Sequence, residues 1–75
     1  MNEEIGKVAG NIWRTLDVKG QMTVASLKKE IQSEPFLFDC AVGWLAREDK
    51  IDLTREKRSW LVSLRGWQAR AANAA

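Results

Sequence analysis

The chain has no histidine, no tyrosine, one cysteine (Cys40) and one proline (Pro35) among its 75 residues. Without imidazole there is no Ser–His or Cys–His nucleophile and no His-containing metal site. A lone cysteine cannot close an internal disulfide. No N-terminal apolar stretch resembles a signal peptide, and no apolar run approaches the roughly 20 residues of a membrane-spanning helix. The expectation is therefore a protein of the reducing cytoplasm, with no membrane partner, no metal and no cofactor. Carboxylates are the remaining candidates for acid–base chemistry, and their placement reads as solvated helix charge, so no enzyme is expected.

What is present is enough for one small fold. A chain of this length buries only about 60% of the surface its unfolded form exposes, so its stability is marginal or shared with a partner. With 45% hydrophobic and 29% charged residues, it lies far from the compositions that remain disordered. The net charge of +2 is too small to imply nucleic acid by itself, but it is unevenly distributed. Residues 34 to 49 set Arg47 against Glu34, Asp39, Glu48 and Asp49, whereas residues 55 to 75 set Arg55, Lys57, Arg58, Arg65 and Arg70 against Glu56 alone. The positive field is C-terminal.

Ile5, Val8, Ala9, Ile12 and Leu16 recur at helical spacing, behind Asn2 as N-cap and two glutamates in the first turn, where carboxylates complement the helix dipole. This predicts a helix over residues 3 to 17, with Trp13 at the edge of its apolar stripe. Residues 21 to 23 form a short strand or extended link, and Thr23 caps a second helix over 24 to 32 with Val24, Leu27 and Ile31 inward. Ser33 can cap a third helix over 35 to 48, begun by Pro35 where a missing N–H costs nothing. In that helix Phe38, Ala41, Val42 and Leu45 cluster on one side, while Phe36, Cys40, Gly43 and Arg47 fall on the other. After Lys50 the period becomes two: residues 51 to 55 and 59 to 64 read as a hairpin with a short charged tip.

The order helix, short strand, helix, helix, two-stranded hairpin resembles the winged helix-turn-helix family over about residues 3 to 64. The run Ala41-Val-Gly-Trp-Leu-Ala-Arg-Glu-Asp-Lys-Ile51 resembles the family's passage from third helix through a polar turn into the wing. Together with Ile5-Gly-Lys-Val-Ala-Gly-Asn-Ile-Trp13, it is similar to small stand-alone bacterial and archaeal winged-helix proteins of uncharacterised function. The resemblance implies a mainly α domain with a small β-hairpin over residues 1–64. Residues 65–75, with one large apolar side chain and small residues at the end, read as a partly disordered tail. Within that tail Trp67 either docks back onto the domain or stays exposed.

Such domains serve as DNA readers and as protein-interaction modules, so two expectations follow. In the first, the resemblance implies double-stranded DNA held by Lys28, Lys29, Arg47, Arg55, Lys57 and Arg58, in a factor associated with transcription. Phe36, Cys40 and Gly43 on the outer face of the third helix offer no bidentate contact to a base edge, and Asp39 beside them repels phosphate. Affinity would then be mainly electrostatic, and six phosphate contacts would give a salt slope near −5 at about 0.9 per phosphate. In the second, Phe36, Leu37, Cys40 and Trp44 form an apolar outer face that buries against a protein partner or a second copy. Four tryptophans in 75 residues suit that reading, because tryptophan is enriched at interface hot spots.

Overall fold

The computed structural model describes residues 2–67. Its elements run α1 (Asn2–Lys19), β1 (Met22–Thr23), α2 (Val24–Ile31), α3 (Pro35–Arg47), β2 (Ile51–Glu56) and β3 (Ser59–Leu64). All three expected helices and the hairpin are present. The two-residue β1 is a true strand: Met22 and Thr23 pair antiparallel with Val62 and Leu61, giving a three-stranded sheet of order β1-β3-β2.

Each helix ends for a local reason. The apolar repeat of α1 stops at Leu16, but the helix continues to Lys19 because its first stop signal is Gly20, at φ +83. The Gly20 N–H donates to the Leu16 carbonyl at 2.8 Å. Thr23 caps α2 as expected, its Oγ1 accepting from the Ser26 N–H at 3.1 Å, and Gln32 closes that helix in the left-handed region. Ser33 does not cap α3. With Pro35 in the first turn, the N-cap falls on Glu34, one residue later than expected; Glu34 makes no side-chain cap, and the Ser33 hydroxyl is buried without a partner. The far end of α3 is a Schellman motif: Asp49 sits at φ 59, its N–H donates to the Ala46 carbonyl at 3.1 Å, and the Lys50 N–H donates to the Leu45 carbonyl at 2.9 Å.

The core lies between the three helices and one face of the sheet. Phe38, Ile12, Leu16, Leu27 and Val62 are its fully buried large side chains, with Ala41, Leu45 and Ile51 around them. Leu37 belongs to it as well, at 9% exposure, which removes it from the outer face where an interface residue was expected. On the helical wheel Leu37 lies 100° from Phe36 but about 40° from Ala41, so it stands at the edge of the inner stripe. Val42, expected inward, is partly buried against the core.

Trp67 docks rather than standing free. It is half-buried, its N–H donates to the Leu64 carbonyl at 3.0 Å, and its ring lies 3.1 Å from where a Cβ on Gly20 would sit. Arg65 ties the same region together: its guanidinium meets Asp49 at 3.1 Å and Asp52 at 3.8 Å, and its N–H donates to the Lys50 carbonyl at 2.9 Å. The rest of the expected disordered tail, residues 68 to 75, lies outside the described residues.

Candidate nucleic-acid interface

The wing is built to project. Strands β2 and β3 pair from Ile51 with Leu64 to Glu56 with Ser59, leaving Lys57 and Arg58 as the two-residue tip. Six residues at about 3.3 Å each make a ribbon of roughly 20 Å, and every β2 residue after Ile51 is exposed. On one face Ile51, Leu53 and Arg55 lie opposite Leu64, Val62 and Trp60. The proximal half of that face is core. Val62 in the middle of that face is fully buried, while Leu53 on the edge strand and Trp60 near the tip are exposed.

The tip concentrates cations on a constrained backbone. Lys57 adopts φ 54, a conformation costly for any residue with a Cβ. Arg55 folds back along the wing, its guanidinium 5.4 Å from the centre of the Trp60 ring and its Nε donating to the Lys57 carbonyl at 3.3 Å. That contact holds one charge over an exposed aromatic surface.

The six expected cationic residues do not stand alike. Lys28 is half-buried, its ammonium 3.6 Å from Asp39 and 5.6 Å from the centre of the Phe38 ring. It pairs with the one carboxylate on the outer side of α3, in a solvent-exposed ion pair. Lys29 on α2, Arg47 at the end of α3, and Lys57 and Arg58 at the tip are exposed and form no ion pair with another described residue.

The outer face of α3 carries Phe36, Cys40, Gly43 and Arg47 as expected, with Phe36 58% exposed and Cys40 half-buried. A Cβ on Gly43 would meet nothing within 4 Å, so that position is open surface. Arg47 is the one side chain in the row able to make a bidentate contact to guanine. Of the residues expected at a protein interface, Phe36 and Trp44 are exposed and Leu37 is not.

Sequence reasoning missed a furrow between α1 and α3. Trp44, 48% exposed, stands between two hollows. One, of about 270 Å³, is lined by Gly6, Ala9, Gly10, Trp13, Leu45 and Lys50; the other, of about 400 Å³, by Asn2, Ile5 and Gly6. The available signal was Gly6 and Gly10, two helix-interior glycines one turn apart beside Trp13.

Among the described residues no group of three or more His, Cys, Asp and Glu side chains is placed to hold a metal, and no helix is long and apolar enough to cross a membrane. Residues 1–64 match the sequence profile of a family described as a winged helix-turn-helix domain (DUF2582). The chain is also similar to the uncharacterised protein MJ1608 of Methanocaldococcus jannaschii, with 32% identity over 65 residues that cover 83% of this chain and 91% of that protein. Three helices, a short first strand pairing with the wing and a projecting two-stranded wing agree with that profile, and the chain belongs to the winged helix-turn-helix family.

Proposed function

We propose that this protein binds double-stranded DNA as a small cytoplasmic, transcription-associated factor, and that it does so chiefly through the phosphate backbone. The observation that carries this reading is the wing: Lys57 and Arg58 at the tip of an exposed ribbon, with Arg55 held over Trp60 beside them. Lys29 and Arg47 extend the cationic set onto α2 and the end of α3. The outer face of α3 is otherwise Phe36, Cys40 and Gly43, which position no base-reading hydrogen bond, so discrimination between sequences is weak.

With Lys28 engaged by Asp39, five cations remain, and neutralising five phosphates gives a slope of log K against log salt of about −4.5. Fluorescence anisotropy with duplexes of unrelated sequence, at several salt concentrations, measures this directly. The triple change Arg55→Ala, Lys57→Ala, Arg58→Ala weakens binding to all duplexes alike and flattens the slope by up to about three. Binding that survives the triple change, or that separates one sequence sharply from the rest, refutes the reading.

A further inference from the structure

We infer that the furrow between α1 and α3 is the contact surface for a second copy of this chain, related by a twofold axis. The surface carries both halves of a self-complementary fit. Phe36, Cys40 and Trp44 are spaced by four along α3 and form a ridge, of which Phe36 and Trp44 are 58% and 48% exposed. Beside the ridge lie the two hollows that flank Trp44, the first of about 270 Å³ and widely open to solvent. Trp13, 41% exposed, forms the far wall of that hollow. Gly6 and Gly10 line it as well. A Cβ on Gly6 would meet nothing within 4 Å, so packing within one copy does not explain a glycine there, although glycine inside a helix is destabilising. Close approach of another chain does explain it.

Charge selects the second copy as occupant. The furrow is polar along its length. Glu3 lies in the first turn of α1, next to Asn2, which lines the hollow at one end. At the other end, Lys50 lines the hollow, and the Arg14 guanidinium lies over Gly10, 3.4 Å from where its Cβ would be. A twofold axis crossing the furrow near Trp44 brings each copy's acidic end against its partner's basic end, as an isologous interface requires. The exposed parts of Trp13, Trp44 and Phe36 add up to about one and a half aromatic side chains, roughly 220–370 Å² at 150–250 Å² each. That is about a quarter to a half of the ~800 Å² per partner of a standard interface, so the pair belongs with weak, reversible associations. The surface uses none of the wing cations, and its test is read without DNA.

Sedimentation equilibrium from about 1 to 500 µM tests it. The native chain is expected to pass from monomer to dimer over this range, and Trp44→Ala to weaken association at least tenfold with an unchanged far-UV spectrum. Glu3→Lys and Lys50→Glu are each expected to weaken self-association. An equimolar mixture of the two variants is expected to restore dimers, because both cross-copy contacts become attractive only in the mixed pair. The wing triple change is expected to leave association as it was. A native chain that is monomeric at 500 µM overturns the inference. So does a dimer indifferent to Trp44→Ala, or a mixture that associates no better than the separate charge variants.

Discussion

Replacing Gly20 by alanine tests two features of the fold in one position. Gly20 lies at φ +83, where it ends α1, and a Cβ there would stand 3.1 Å from two Trp67 ring atoms and 3.2 Å from a third. The left-handed region costs a residue with a Cβ about 1–2 kcal/mol, and forcing the indole back costs roughly 1 kcal/mol more, at the lower end of overpacking effects. Gly20→Ala is therefore expected to destabilise by about 2–3 kcal/mol, lowering the midpoint of thermal unfolding by roughly 10–20 °C at 4–8 °C per kcal/mol for a domain of this size. A double-mutant cycle separates the terms. In a Trp67→Ala background the steric term disappears, and Gly20→Ala costs only the backbone term of about 1–2 kcal/mol. Far-UV circular dichroism in urea provides the four stabilities without depending on the tryptophan signal itself. Equal costs of Gly20→Ala in the two backgrounds refute the docking of Trp67 on Gly20, and a cost below about 0.5 kcal/mol refutes the backbone assignment as well.

Two further outcomes follow from side chains that lie elsewhere than expected. Leu37→Ala removes a buried side chain from the core cluster and is expected to lower stability by about 2–5 kcal/mol, measured by urea denaturation; a cost near zero would return Leu37 to the surface. Asp39→Asn frees Lys28 and removes a negative charge beside the outer face of α3, so DNA affinity at low salt is expected to rise and the salt slope to steepen by about 0.9. Since the pair is largely exposed, stability changes by no more than about 1 kcal/mol. An unchanged slope would mean that Lys28 faces away from bound DNA.

The fold was legible because local signals agreed with one another. Thr23, Pro35 and the change from period 3.6 to period 2 after Lys50 each mark a boundary by chemistry that acts within a few residues, and the structure keeps all three. The errors lie where a local rule left a choice. Ser33 and Glu34 both precede Pro35, and the ring fixes which residue is N-cap, a matter of register that Ser33's capping propensity overrides on paper. Leu37 lies between the two faces of α3, and only the position of neighbouring helices decides on which side a boundary residue is buried. Two-residue β1 has no period to read; its pairing with Val62 and Leu61 is tertiary.

The candidate site was legible only as a composition. The cations of the wing tip could be listed from sequence because a hairpin tip is local, but which of the six cations stay available is a question of partners distant in sequence. Lys28 meets Asp39 because α2 and α3 meet there, and Arg55 lies over Trp60 because β2 and β3 pair in one particular register. Two consequences follow for function. In the proposed DNA-binding reading, the Lys28–Asp39 pair offsets the one carboxylate on the outer side of α3, which leaves Arg47 as that helix's phosphate contact and the rest of the attraction to Lys29 and the wing. The apolar ridge of Phe36 and Trp44 on the same helix is then not surplus to a DNA reader. It lies beside the furrow, where the proposed second copy would cover it.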